Sequence, residues 1–156
     1  HVMLGLAALS QPAFAQNVCA SADEQAQMQA VKKAYLQRDI KVSASRELLQ
    51  LIQKDEQCAE RSEGVCNIDF DILFDSQDPP IFEEVKFTYQ CRKNHVRVTI
   101  LDKSPETEAS ERRTQLDFSM VSQHKQWRID DVQYKSVPTD DDSSNTLRKI
   151  LAQPII

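Results

Sequence analysis

The amino-acid sequence predicts an α+β domain with two N-terminal helices, a curved antiparallel meander of four strands and a C-terminal helix. Three patterns indicate this order. Apolar residues recur at helical spacing in the first third of the chain, alternate with polar residues over residues 82–134, and return to helical spacing near the end. A chain of 156 residues has the usual length of one domain. We therefore expect a single domain over residues 16–156.

Residues 1–15 differ in composition from the rest and are predicted to be the remnant of a secretory signal peptide. An apolar or small run over residues 2–9 precedes Pro12 and an Ala-x-Ala cleavage site at residues 13–15, although no basic segment precedes the run. The run is too short to span a bilayer. We therefore expect an exported protein, periplasmic or secreted, that is not embedded in a membrane.

The first helix is predicted over residues 22–38, and the second fades near Gln57. A capping box opens the first helix, because Ser21 can accept an amide proton while Glu24 reaches back to the serine. Ser43 and Ser45 are both possible N-caps of the second helix. The apolar stripes expected to face the core are Met28, Val31, Tyr35 and Leu36 in the first helix, and Leu48, Leu49 and Ile52 in the second.

Four strands follow, and each of the first three has one apolar face. Residues 92–94 should form a tight turn with Asn94 at positive φ, because no glycine is available there. Residues 102–110 form a polar loop that contains Pro105, and residues 123–126 form the last turn. The three apolar faces consist of Val85, Phe87, Tyr89 and Cys91; of Val96, Val98 and Ile100; and of Leu116, Phe118 and Met120.

The fourth strand contains a slip in its alternation. Trp127 and Ile129 set one parity, whereas Val132 and Tyr134 set the other. One extra residue is needed to keep all four on the same face, so the sequence predicts a β-bulge at Asp130-Asp131. A bulge can redirect side chains at the mouth of a pocket, which makes this place a candidate site.

Two segments have no clear element type. Residues 67–74 alternate apolar and polar residues until Leu73 breaks the pattern, so they form either a short edge strand or an irregular segment. Residues 139–144 form an acidic linker, whose carboxylates suit the positive N-terminus of the last helix. The apolar stripe of that helix is Leu147, Ile150 and Leu151.

Four cysteines lie in the predicted mature chain, and an even number in an exported protein favours two disulfides. One pairing joins Cys58 to Cys66 across a short polar loop and Cys19 to Cys91. The rival pairing is Cys19–Cys58 with Cys66–Cys91, which would suit an antiparallel helix pair. We prefer the first pairing slightly.

Known metal, nucleotide and catalytic motifs are missing from the sequence, so we predict no cofactor and no metal. There is no Cys-x-x-Cys spacing for zinc, and glycine is too scarce for a dinucleotide or phosphate loop. The acidic run at residues 69–80 lacks the glycine and the glutamate of a calcium loop. His95 and His124 fall at turns, where exposure is the usual outcome. Asp130 and Asp131 are the best carboxylate pair for acid–base chemistry if the bulge buries one of them.

The net charge of −5 disfavours nucleic acid as a partner and is compatible with a basic protein partner. The acidic residues in the predicted loops are the candidate contacts. They are Asp75, Asp78, Asp140, Asp141 and Asp142.

A family resemblance follows from the order of these segments. Two helices, an Asp-rich segment at residues 74–78 and a meander precede a Trp-Arg-Ile-Asp-Asp-Val motif at residues 127–132, and an amphipathic helix ends the chain. Over residues 22–153 this resembles a bacterial exported family of unknown function in the nuclear-transport-factor-2-like (cystatin-like) superfamily. The resemblance implies a curved sheet that wraps helices into a cone. Catalytic members place an acid–base pair inside the cone, and we cannot map such a pair onto this chain.

Several small exported proteins of similar organisation are immunity proteins that neutralise toxins delivered into the periplasm. By analogy the leading hypothesis is a periplasmic, non-catalytic inhibitor or immunity protein for a secreted effector. The alternative is a cone that binds a small molecule or lipid, or an isomerase-like enzyme, with Tyr89, Trp127, Asp130 and Asp131 as pocket candidates. A third hypothesis is a structural domain that binds components of the cell envelope.

Overall fold

The structure is a computed structural model that describes residues 18–103, 112–134 and 145–154. The described part has the predicted α+β class, with helices packed on one face of a curved, open sheet. The helices are α1 (Ala22–Gln37), α2 (Arg46–Ser62) and α3 (Leu147–Leu151), and short 3₁₀ helices span Ile40–Ser43 and Phe82–Glu84. The strands are β1 (Val85–Arg92), β2 (His95–Asp102), β3 (Arg112–Gln123) and β4 (Gln126–Tyr134).

Helix α1 begins at the predicted capping box and ends one residue before the predicted end. The Ser21 side chain accepts from the backbone of Glu24, whose carboxylate accepts from the backbone of Ser21. Arg38 then adopts a left-handed backbone conformation and stops the helix. The prediction that Leu36 faces the core is wrong, since its side chain is 72% exposed. Leu36 lies one position beyond the buried Tyr35, so the buried stripe is narrower than the sequence suggests.

Helix α2 begins after Ser45, whose hydroxyl accepts from the backbone N–H of Leu48 at 3.1 Å. Ser43, the other possible cap, lies in the preceding 3₁₀ helix and donates to a carbonyl of α1. The helix continues to Ser62, well beyond the fading point near Gln57 that the sequence suggests. Its last turns still have a buried side, because Cys58 is buried there.

The sheet is an antiparallel meander in the order β1-β2-β3-β4, so β1 and β4 are its edges. Two-residue turns join β1 to β2 and β3 to β4. Asn94 has positive φ as predicted, but so do Lys93, His124 and Lys125. Both residues of each turn therefore adopt the left-handed conformation that a two-residue hairpin requires.

The interior between the sheet and the helices is filled. Tyr35 of α1 is 1% exposed, and its ring contacts the rings of Phe74, Phe87 and Phe118 at centroid distances of 5.6, 4.9 and 6.0 Å. The predicted inward-facing residues of β2, β3 and the second half of β4 are all buried. They are Val96, Val98, Ile100, Leu116, Phe118, Met120, Val132 and Tyr134.

The ambiguous segment, residues 67–74, is irregular and contains only an isolated bridge between Asp71 and Ser76 among the described residues. Two buried tyrosines hold it against the core. The Tyr35 hydroxyl donates to the carbonyl of Leu73 at 2.6 Å, and the Tyr134 hydroxyl donates to the carbonyl of Ile72 at 2.9 Å. Neighbouring carbonyls are thus bound from α1 and from β4.

The cysteines form two disulfides, Cys19–Cys91 and Cys58–Cys66, which is the pairing that the sequence analysis preferred. The first joins the segment before α1 to the end of β1, and the second closes the loop after α2. Two structural disulfides are typical of proteins that fold in an oxidising compartment.

Candidate functional site

The predicted bulge lies in β4 at Asp130. Ser119 of β3 pairs with Asp131, and the next residue, Met120, pairs with Ile129, so Asp130 is the extra residue. The insertion returns Val132 and Tyr134 to the buried face that Ile129 occupies. The parity argument from the sequence therefore located the irregularity correctly.

The carboxylates at this bulge connect three elements. Asp130 Oδ1 accepts from the hydroxyl of Ser45, the N-cap of α2, at 2.8 Å and from Arg148 Nη2 of α3 at 2.7 Å. Arg148 Nε also donates to the Asp130 carbonyl at 2.8 Å. Asp131 Oδ1 accepts from the backbone N–H of Val132 and of Arg148. Through these contacts the two carboxylates connect β4 to the N-terminus of α2 and to α3.

Trp127, another pocket candidate, lies three residues before the bulge and is half-buried against the core. It pairs with Ser122 of β3 and borders none of the clefts described below. The structure therefore separates Trp127, Asp130 and Asp131 from the remaining pocket candidate, Tyr89.

Tyr89 lies in the largest described cleft, which we call the aromatic groove. The groove runs between α1 and β1, has a volume of about 920 Å³ and opens to solvent along one side. Helix α1 and strand β1 form its walls, and the 3₁₀ helix before β1 closes one end. Its lining residues are Lys32, Tyr35, Leu36, Phe82, Glu83, Glu84, Val85, Lys86, Phe87, Tyr89 and Lys103.

Aromatic rings form the floor of the groove. Phe87 lies at the centre, with ring centroids 4.9 Å from Tyr35, 5.4 Å from Phe82 and 6.4 Å from Tyr89. Because Tyr35 and Phe87 also contact the buried Phe74, the floor is continuous with the hydrophobic core. A floor anchored in this way stays fixed when a ligand arrives, which favours binding.

The apolar surface of the groove extends onto its rim. Four large apolar side chains are exposed in the described part of the chain, and two of them, Leu36 and Ile81, lie at this end of the molecule. Leu36 lines the groove, whereas Ile81 lines an adjoining cleft of about 330 Å³ that shares Phe82 and Glu83 with it. Exposed apolar side chains that border a cleft are typical of a binding surface.

Two side chains, Tyr89 and Lys32, contribute to the electrostatics of the groove. Partial burial raises the pKa of the Tyr89 phenol to about 12, so Tyr89 remains a neutral hydrogen-bonding group at physiological pH. The Lys32 ammonium lies 5.2 Å from the centre of the Tyr89 ring in a cation–π contact. Within residues 18–103, 112–134 and 145–154, Lys32 forms no ion pair with a carboxylate.

The groove lies beside the open edge of the sheet. Arg92 and His95 flank the two-residue turn, and such a flanking pair exchanges both of its backbone hydrogen bonds. Because these pairs alternate along an antiparallel ladder, the N–H and C=O groups of Val85, Phe87 and Tyr89 point away from β2. The side chains of these same three residues line the groove. Backbone groups and aromatic side chains are therefore presented together.

The acidic contact candidates are only partly covered by the described residues. Asp78 is exposed in the loop before the groove, while Asp75 is half-buried at positive φ in a cleft that Arg112 and Arg113 also line. Asp140, Asp141 and Asp142 lie outside the described residues.

Two further kinds of feature are absent from the described residues. No group of three or more histidine, cysteine, aspartate or glutamate side chains in that part of the chain is placed to hold a metal ion. None of its helices has both the length and the apolar character needed to cross a membrane.

The sequence analysis identified Tyr89 but missed the groove around it. Tyr35, Leu36, Val85 and Phe87 were all interpreted as core residues, because helical spacing and strand alternation report which face is apolar and not how much of it is covered. A usable signal was present near the end of the first helix, where Lys32 and Leu36 are four positions apart and therefore share a face that carries a charge beside an apolar residue.

Comparisons with known proteins add little to this description. No protein family and no curated protein matches the chain. The solved structure of a protein of unknown function from Bacteroides thetaiotaomicron VPI-5482 is similar over 85% of this chain and 98% of that chain, with a TM-score of 0.40 and 17% sequence identity. A likeness of this degree assigns neither a family nor a function.

Proposed function

We propose that this chain is a periplasmic, non-catalytic binding protein that neutralises a secreted bacterial effector, as an inhibitor or immunity protein. The observation that carries the proposal is the contrast between a filled interior and an aromatic groove on the surface. Tyr35 occupies the space inside the curved sheet, whereas Phe82, Phe87 and Tyr89 form a fixed floor that is open to a partner. Aromatic residues at a surface cleft are the usual anchors of protein interfaces.

Two further observations support a binding role outside the cytoplasm. The two disulfides suit an exported protein. The carboxylates that could have served as an acid–base pair, Asp130 and Asp131, bind Ser45 and Arg148 instead and lie away from the groove.

The test is to mix the purified, disulfide-bonded chain with a panel of effectors secreted by the producing bacterium and its close competitors. The proposal expects a one-to-one complex that abolishes the activity of one effector. Absence of any complex at micromolar concentration across the panel would overturn it. Two variants then locate the contact: Leu36→Glu tests the groove, and Asp78→Lys tests the acidic loop predicted to meet a basic partner. The variant that weakens the complex identifies the surface.

A second candidate function is the binding of a small amphipathic molecule in the groove. Its volume of about 920 Å³ lies within the range of small-molecule sites, about 300–1,000 Å³. Lys32 could bind an anionic head group while the aromatic floor contacts an apolar tail. Calorimetric titration of the delipidated protein with oleate distinguishes this function, because saturable one-to-one binding that Leu36→Glu abolishes would support it, and no heat of binding would exclude that class of ligand.

A further inference from the structure

The open edge of β1 and the aromatic groove form one continuous surface, and their geometry limits what can bind there. The backbone groups of Val85, Phe87 and Tyr89 point outward from the sheet at every second residue, as in any edge strand. In the described part of the chain, the N–H of Val85 donates to the carbonyl of Phe82 in the 3₁₀ helix, whereas no backbone hydrogen bond outside the β1–β2 ladder involves Phe87 or Tyr89. The other edge strand, β4, differs, because Ile129, Gln133 and Tyr134 pair with residues from outside the sheet.

The side chains beside this edge match an extended polypeptide better than a compact ligand. A strand added along β1 would place every second side chain on the face of the sheet that carries Phe87 and Tyr89. Those side chains would lie in the groove, between the aromatic floor and Leu36 of α1. The distance from Val85 to Tyr89 corresponds to about five residues of extended chain, at roughly 3.3 Å per residue.

The charge beside Tyr89 adds a preference. The Lys32 ammonium lies over the Tyr89 ring, is half-buried and has no carboxylate partner among the described residues. A carboxylate on the bound segment would complete the ion pair in a partly desolvated place. Lys103 lies at the other end of the groove, where its N–H donates to the carbonyl of Glu84 and where Glu83 and Glu84 form part of the 3₁₀ helix.

We propose that the partner of this protein inserts an extended segment into the groove, which adds to β1 as a fifth strand, buries apolar side chains at alternate positions and places a carboxylate against Lys32. This inference rests on the proposed function, because it describes how the protein partner is recognised. It also changes the expected chemistry of the contact: the segment that enters the groove is apolar and acidic, even where the rest of the partner is basic.

The test starts from a phage library of random decapeptides. The library is selected on the disulfide-bonded protein after subtraction on Leu36→Glu, and the selected sequences are made as synthetic peptides. We expect sequences with alternating apolar residues and at least one aspartate or glutamate. We expect Lys32→Glu to weaken their binding about tenfold, because the ion pair between Lys32 and the peptide carboxylate becomes a repulsive contact between two carboxylates. The matched control is Lys33→Glu, because Lys33 is exposed on the same helix and does not line the groove.

Backbone methylation separates strand addition from other binding modes. Two series of a selected peptide are methylated at alternate backbone amides. One series loses the N–H donors that face β1, and the other loses the N–H donors that face solvent. We expect one methylated series to lose at least about tenfold in affinity and the other to keep its affinity within about threefold. Equal affinity of the two series would overturn strand addition.

The remaining outcomes also decide the question. Failure to enrich any peptide over the Leu36→Glu subtraction overturns the inference. Another outcome is that the protein forms a dimer that displaces the selected peptide and that Leu36→Glu dissociates. That result would assign the groove to self-association and would also overturn the inference. If peptides bind as expected but no effector is neutralised, the groove is a peptide site and only the inhibitor function fails. If an effector is neutralised with Leu36→Glu intact in activity, only the inference fails.

Discussion

The two edges of the sheet are treated in opposite ways. Along β4 the edge is sealed: Ser45 donates its backbone N–H to the carbonyl of Ile129 at 2.7 Å, and Tyr134 donates to the carbonyl of Asn145 at 3.1 Å. Between these contacts the bulge at Asp130 directs a carboxylate toward Arg148. Along β1 the outward backbone groups of Phe87 and Tyr89 have no backbone partner among the described residues, beside the aromatic groove.

This difference shows where the molecule uses its polar groups for stability and where it leaves them for a partner. A bare edge strand invites pairing with other chains, and proteins usually cover or twist such an edge. Among the described residues the β4 edge is covered by the segments that precede α2 and α3, whereas β1 has no such cover over Phe87 and Tyr89. Side chains that seal the covered edge should therefore respond to mutation with a loss of stability, and exposed side chains of the groove beside β1 with a loss of binding.

The largest expected effect concerns the disulfide that holds the end of β1. Cys19–Cys91 joins residues 72 positions apart, whereas Cys58–Cys66 joins residues 8 apart. Chain entropy then predicts a loss of about 4 kcal/mol in the free energy of unfolding for Cys19→Ala with Cys91→Ala, against about 2.5 kcal/mol for the double variant of the other bridge. Urea unfolding of the two variants measures both values. A larger loss from the short bridge would contradict the prediction.

The next effect breaks the sealed edge. Asp130→Ala removes the acceptor of Ser45 and Arg148, so the buried Ser45 hydroxyl has no acceptor for its proton, and the free energy of unfolding should fall by about 2 kcal/mol. Asp69→Ala is the matched control, because Asp69 is exposed and its removal should change stability by less than about 0.5 kcal/mol. Similar unfolding curves for the two variants would show that the joint at the bulge contributes little.

A smaller effect should appear in alkaline solution and involves one tyrosine near each edge. Burial raises the pKa of Tyr35 and of Tyr134 well above the ordinary value. Both phenols stay protonated in the folded protein while they ionise near pH 10 in the unfolded chain. Stability should therefore be unaffected by them below about pH 10 and fall above it by about 1.4 kcal/mol per pH unit for each tyrosine.

Urea unfolding between pH 8 and pH 11.5 measures that slope. Tyr35→Phe and Tyr134→Phe should each make the alkaline decline shallower, because each removes one ionising group. The two variants also compare the edges, since the hydroxyls donate to neighbouring carbonyls, of Leu73 and of Ile72. An unchanged slope in both variants would exclude these tyrosines as its source.

The smallest effect on stability is expected at the open edge. Leu36→Glu replaces an exposed side chain, so the free energy of unfolding should change by less than about 0.5 kcal/mol. Val65→Glu is a control of similar exposure that lies near the Cys58–Cys66 loop. Thermal unfolding followed by circular dichroism compares them. A marked destabilisation by Leu36→Glu alone would mean that this end of α1 contributes to the core and is not available to a partner.

Much of the fold could be predicted because local patterns determine it. The capping box at Ser21, the alternation in β1 to β3 and the parity slip at Asp130 each depend on residues that are close in sequence. The extent of α2 was underestimated, since residues 58–62 contain no large apolar side chain and are held by the burial of Cys58. Tertiary contacts decided that boundary, and a short window of sequence does not contain them.

The site was harder to predict, because it depends on contacts between distant segments. The sequence allows Asp130 to be a base, but in the structure its carboxylate binds two distant residues. Arg148 lies 18 residues later in the chain, and Ser45 lies 85 residues earlier. Leu36 looked like a core residue, since spacing alone cannot show that its side chain is left 72% exposed beside an edge strand. Only the arrangement of α1 beside an edge strand turns those residues into a groove.

The turns between the strands have a consequence for how the chain folds. Lys93, Asn94, His124 and Lys125 all have positive φ without glycine, and this conformation is uncommon for lysine. The turn sequences therefore contribute little to the stability of either hairpin. We expect each hairpin to form only when its strands make apolar contacts with each other and with Tyr35. We expect the meander to nucleate late and as a whole, so that glycine at position 93 or 125 would accelerate refolding.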